Sequence, residues 1–296
     1  MRYQTKLRLP HPSRFSTGGG HAGLDGFVAP HRSLSRDSLR GERTTAAGPP
    51  QIGVLHLVHA IFGSGNRDFS GEFFHLRNFE NLLYDAVHML YFSHDIDPES
   101  DTHGYGNTFV RGSMVNSFLL LECAANCCID ALGLAGSYFE DVDKLSFLSK
   151  YEFFLGRIAE GATFDRGRRE IQAVAELKSL RDKYIHPKVS KKQFSKVDDG
   201  VYEVEFDKTK LLDISFDPSH WGLSAAVSAL KTANDFFNLF FLSWCKFDAN
   251  TVCDILLGSE VASIPSASSV GVDTIGGLDR AVAEWGIDFR FIGKNK

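Results

Sequence analysis

The 296-residue sequence predicts an all-α protein interrupted by one small β-hairpin. Three observations predict it. Apolar residues recur at steps of three and four through long stretches between residues 73 and 247. Phe is abundant, with 25 residues and a cluster FFNLFF at 236–241, which suits aromatic-rich helix packing. In the window 198–218 the pattern changes to two-residue alternation, Val201, Glu203 and Glu205 against Tyr202, Val204 and Phe206. At 43% hydrophobic and 23% charged residues, the chain can bury a large core as one or two globular domains.

Residues 1–50 are rich in Gly, Ser, Arg and Pro and show no apolar periodicity, so 1–66 is expected to be a disordered or low-order segment. It lacks the apolar stretch of a secretory signal; its Arg-rich, acid-poor start resembles an organelle transit peptide in composition and is read as an over-long start or a plain tail. IGVLHLVHAIFG (52–63) is too short to span a bilayer, and no membrane partner is expected. In FFHLRNFENLLYDAVHMLYF (73–92), Phe73, Leu76, Phe79, Leu83, Val87 and Leu90 share one face of an amphipathic helix. MVNSFLLLECAANCCIDALGLAG (114–136) is apolar nearly all round and closes on Gly133 and Gly136, as a central buried helix should.

A third helix is expected over 141–160 and a fourth from about Gly167 to Pro187. DDGVYEVEFDKTKLLDISFDP (198–218) reads as the hairpin, between that fourth helix and a last long helix at 224–247. Residues 258–273 read as a Ser/Gly-rich linker and 276–286 as a small terminal helix. The domain is therefore placed at 67–247, with 248–296 a C-terminal linker and short helix.

Five Cys, three of them (Cys123, Cys127, Cys128) in one apolar stretch, read as reduced small hydrophobes and a cytoplasmic chain. Cys123 and Cys127 lie four apart, but no His or second Cys pair accompanies them at ligand spacing, so neither a metal nor another cofactor is expected. The acidic loop Asp97, Glu99, Asp101, His103 reads as solvated, GSGNRDFSG (63–71) lacks a phosphate-loop lysine, and no nucleophile motif or dinucleotide fingerprint occurs.

The net charge of −5 hides an asymmetry: residues 1–50 hold eight Lys/Arg against three Asp/Glu, so the remaining residues are strongly acidic. Against that acidic body, Lys178, Arg181, Lys183, Lys188, Lys191, Lys192 and Lys196 gather around the single acid Asp182. The centre of this run is LRDKYIHPK (180–188), which places Arg181 five residues before His186 and stops the helix with Pro187. On a continuous helix the two would diverge by about 140°. Pro187 disfavours the α conformation at His186, so the imidazole can leave the helical path. A helix-end Arg and His can equally be ordinary surface residues. A second pattern bears on the choice. Glu122, Asn126 and Asp130 form one narrow polar seam on the otherwise apolar second helix. Such a seam is either a solvent-facing stripe or faces a cation, and Arg181 is the candidate cation.

The order of an amphipathic helix, an apolar helix carrying LLLECAAN, the segment LSFLSKYEFFLGRIAEGATFDRG and a helix ending ELKSLRDKYIHPK resembles the HEPN superfamily of small α-helical domains. The resemblance spans about 70–247, and its distinctive part is Arg-x4-His with a polar residue directly after the Arg, matched by Arg181, Asp182 and His186. Glu122 falls where many of these domains carry an acid on the preceding core helix. The hairpin is not part of the minimal four-helix domain, and the Tyr that one toxin subgroup has two residues past the His is Lys188 here.

The resemblance implies a HEPN-like antiparallel helical bundle working as a homodimeric, metal-independent endoribonuclease on RNA, in a toxin or antiviral-defence setting with a cognate antitoxin or defence partner. The residue chemistry agrees with it. An imidazole can move the proton of a 2′-hydroxyl near neutral pH. Arg181 would clamp the phosphate and stabilise charge in the transition state, with Asp182 or Glu122 orienting it and Asn126 supporting the seam. Lys183, Lys188, Lys191 and Lys192 would hold RNA phosphates. Tyr184 and Ile185 are candidates for the dimer contact. The alternative is a non-catalytic module that binds RNA, nucleotide or a partner protein, and a third reading is a helical scaffold whose seam is an assembly surface.

Overall fold

The computed structural model describes residues 77–189, 191–192, 194–198, 201–204, 206–257 and 277–294. The expected low-order segment 1–66, the 52–63 stretch, Phe73, Leu76 and the 258–273 linker lie outside them. The fold is mostly helical: α1 (Phe79–Asp95), α2 (Tyr105–Ala131), α3 (Gly136–Asp143), α4 (Phe147–Ile158), α5 (Arg169–Ile185), α6 (Leu223–Phe237), α7 (Ala249–Leu256) and α8 (Leu278–Trp285).

Helix α1 buries Phe79, Leu83, Val87 and Leu90 completely, the face that its three-and-four spacing marks out. It packs along α2, where the Ser113 hydroxyl donates to the Ala86 carbonyl at 2.7 Å. Helix α2 begins at Tyr105, nine residues ahead of its apolar run. Both Asp101 carboxylate oxygens accept first-turn amides, from Tyr105 and Gly106, at 2.8 Å. The acidic loop thus caps a helix. By length and apolarity α2 could cross a membrane, but 67% of its most apolar window is buried by the rest of the protein, the position of a core helix.

The FFNLFF cluster lies at the centre of the core: Phe236, Phe237, Phe240 and Phe241 are fully buried. Tyr151 of α4 meets Phe236 and Phe240 edge-on at 4.8 and 4.7 Å, and its hydroxyl donates to the Leu121 carbonyl of α2 at 2.8 Å. Past Phe237 the helix widens into a π-helical turn, Asn238–Trp244.

That turn leads to a departure from the expected boundaries. The short helix expected near the C-terminus is α8, and residues 249–257 and 277–292 pack into the domain placed at 67–247: Val252, Ile255, Leu256, Leu278, Phe289, Phe291 and Ile292 join the same core as Phe79. Asn238 clamps the last turn, donating to the Asp288 carbonyl and accepting from the Phe291 amide, both at 2.9 Å. Helix α8 is held on α1 by Arg280, which pairs with Asp95 at 2.8 Å and lies over the Tyr91 ring.

The strand pairing begins ahead of the 198–218 window and takes in only its first residues. Strands β1 (Phe194–Asp198) and β2 (Val201–Val204) pair antiparallel, Phe194 opposite Val204 and Lys196 opposite Tyr202, with an irregularity between Lys196 and Asp198. This ribbon groups apart from the helical body as a separate compact unit. The rest of the window, 206–218, is a loop of the body. Its amides at Lys210, Leu211 and Leu212 donate to the Glu176 carboxylate of α5 at 3.0–3.1 Å, so they are not free to extend a ladder.

Candidate functional site

Helix α5 ends where its sequence says it must. His186 is the C-cap, with φ −117° and ψ 64°, while its amide still bonds the Asp182 carbonyl at 3.0 Å. Pro187 supplies no amide to continue the ladder.

One turn earlier, Arg181 is three-quarters buried and crosses to α2, where its guanidinium forms an ion pair with Glu122. Its other terminal nitrogen donates to Asp182 at 2.8 Å. Lys178, four residues back on the same helix face, donates to the second Asp182 oxygen. The cluster therefore balances two cations against two carboxylates. Burial pushes the Asp182 carboxyl up, but Lys178 and Arg181 outweigh it and hold the group below the usual carboxylate range.

Each acceptor of the α2 seam has a cation from a different element. Asn126 accepts from Lys150 of α4 at 2.8 Å, and Lys150, itself buried, also pairs with Asp143 at 2.6 Å. Asp130 pairs with Arg77 at 3.0 Å, and Arg77 donates as well to the Asp254 carbonyl of α7 at 2.6 Å. The seam is thus the half-exposed edge of the central helix, closed by three long cations rather than by water alone.

Arg181, Asp182 and Glu122 come together. His186 does not join them by a hydrogen bond: its imidazole is exposed and bonds to no described residue. Lys183 lies with its ammonium 3.2 Å from the centre of the Phe216 ring. Lys188, Lys191 and Lys192 are exposed. Tyr184 is half-buried against Trp221, ring centroids 5.3 Å apart, so it is committed to the body and a poor element of a dimer contact; Ile185 is exposed. Lys178, one of the basic run around Asp182, owes its pairing to the i, i+4 spacing, a signal legible in the sequence. Arg77 and Lys150 were not legible, being 53 and 24 residues from their seam partners.

All five thiols are free, with Cys127, Cys128 and Cys245 buried. Burial pushes the Cys128 and Cys245 thiols well above the ordinary range, so they are packing groups. Among the described residues no three His, Cys, Asp or Glu side chains gather as a metal site. In comparison with known proteins, the chain matches no family model, no curated protein and no solved structure at a significant level.

Proposed function

We propose that this protein is a metal-independent, HEPN-like endoribonuclease that cleaves single-stranded RNA, acting in the cytoplasm as a toxin or defence effector. The observation that carries the proposal is the anchoring of Arg181 by Glu122 and Asp182, one turn before a helix end that leaves His186 exposed. An arginine braced from two sides keeps its planar fork in a fixed orientation, which suits a phosphate in transit to a pentacoordinate state.

In this reading the His186 imidazole takes the proton of the 2′-hydroxyl as its oxygen attacks the adjacent phosphorus, or returns a proton to the departing 5′-oxygen. Arg181 stabilises the charge on the equatorial oxygens. Asp182 and Glu122 act as positioning residues, with Asn126 and its Lys150 partner bracing the same seam. The products are a 2′,3′-cyclic phosphate and a 5′-hydroxyl. Lys183, Lys188, Lys191 and Lys192 contact flanking phosphates and give little base preference.

One chain brings one Arg181 and one His186, whereas the step benefits from a base, an acid and a clamp. An isologous homodimer that joins two such helix ends supplies the set, with exposed Ile185 in the contact. A cognate antitoxin or defence partner would cover the same face. The second reading, a non-catalytic module for RNA, nucleotide or a partner protein, is favoured by the lack of any described residue orienting His186.

The test is cleavage of single-stranded RNA by purified protein in EDTA. We expect cyclic-phosphate products, a loss of about 10²–10⁴-fold in His186→Ala with the fold intact, and specific activity that falls on dilution. Activity that vanishes on chelation and returns with Mg²⁺, or a wild type without activity at any concentration, overturns the reading.

A further inference from the structure

At the opposite end of α5 from His186, about 25 Å along the helix at its ordinary rise, the body opens into a cleft of about 600 Å³. This size is within the range of small-molecule sites, roughly 300–1,000 Å³. The cleft is walled by the first turns of α5, the 206–218 loop, the outer side of α6 with its π-helical extension, and the last turn of the chain.

Its walls are fixed by bonds already described. Glu176 holds Leu211 and Leu212 through their backbone amides, and Asn238 holds the turn that carries Arg290. The charges divide into two kinds. Arg168 pairs with Glu170 at 3.5 Å and Arg290 with Asp288 at 2.8 Å. Arg169 of α5 and Lys231 of α6 line the same cleft and make no ion pair with any described residue, and the third carboxylate of the lining, Asp235, lies one turn beyond Lys231 on α6. Leu211, Leu212, Leu239 and Leu242 supply an apolar wall beside them.

On a chain of net charge −5, a preformed, half-apolar cleft whose lining carries four cations against the three carboxylates Glu170, Asp235 and Asp288 favours a complementary anion. We infer that this cleft binds a small amphipathic anion, its carboxylate or phosphate monoester between Arg169 and Lys231 and its flat apolar body against the leucines. The site shares no residue with the Arg181 cluster, so it stands or falls separately from the nuclease reading.

The test is titration of the full chain with 1-naphthyl phosphate, 1-naphthoate and neutral 1-naphthol, followed by naphthyl fluorescence and calorimetry. We expect at least one of the two anions to bind one per chain and at least tenfold more tightly than naphthol, and the tighter of the two identifies the head group. Arg169→Gln/Lys231→Gln, changes at exposed positions checked by thermal melting, should weaken that anion at least tenfold, while Arg181→Gln leaves it unchanged. Absence of saturable binding, naphthol binding as tight as the anions, wild-type affinity in the double variant, or loss of binding in Arg181→Gln overturns the inference.

Discussion

Glu122 and Asp130 lie two turns apart on α2, and each meets an arginine, yet the two ends of the seam are built differently. At the Asp130 end, Arg77 is 16% exposed and divides its donors between the carboxylate and the Asp254 backbone carbonyl, so that it joins the chain entering α1, the central helix and α7. At the Glu122 end, Arg181 is 22% exposed and is held by two carboxylates, with Lys178 at 40% on the outer side of Asp182. The first arrangement closes three elements together. The second fixes an arginine at the surface beside an open helix end. One sequence signal, a polar residue every fourth position of an apolar helix, therefore has two structural meanings. What separates them is whether the arginine also satisfies a backbone carbonyl.

The contrast can be broken most sharply at Arg181. Arg181→Lys keeps the charge but loses the planar fork that reaches Glu122 and Asp182 together, and RNA cleavage is expected to fall by about 10²-fold. The unfolding free energy should change by less than about 1 kcal/mol, because the cluster is partly solvated. Chemical denaturation run beside the cleavage assay checks both; a stability loss that accounts for the whole activity loss would make this end structural too. Asp130→Ala tests the other end. It leaves the Arg77 guanidinium without its carboxylate, and a loss of about 1–3 kcal/mol is expected in denaturant titration, with cleavage per folded molecule unchanged.

The smallest effect is a pH dependence. The folded-state value of Asp182 is lower than its unfolded value, so its contribution is complete above the unfolded carboxylate range, about pH 4, and declines as pH falls through the folded value. The difference in unfolding free energy between the wild type and Asp182→Asn should therefore be constant near neutrality and shrink below about pH 4. A difference that persists undiminished to pH 2 would detach Asp182 from its cations.

Within the site, the sequence carried the local parts. Pro187 sets where α5 ends, because the ring's effect on its neighbour needs no tertiary contact. Arg181 and Asp182 are adjacent on α5, so their proximity follows from the chain itself, and Arg181 was a legible partner for Glu122 because a polar seam on an apolar helix needs a cation, a donor or water. The position of Lys183 over Phe216 and of Tyr184 against Trp221 was not legible, since the 206–218 loop that brings up Phe216 is seated by Glu176 from 34 residues away.

The sequence by itself determined the helical character, the inward face of α1 and the one polar seam of α2. A continuous apolar stripe can be buried only one way, and the stripe is written locally. The tertiary structure alone decided that 277–292 belongs to the core. Ile287, Phe289 and Phe291 alternate with Asp288 and Arg290 over too short a stretch to name their partner, and Asn238, 53 residues earlier than Phe291, holds their turn in place. It likewise decided which cation meets each seam acceptor and that a cleft exists between the start of α5 and the end of the chain. Such pairings join residues remote in sequence, and they form only once packing has brought their helices together.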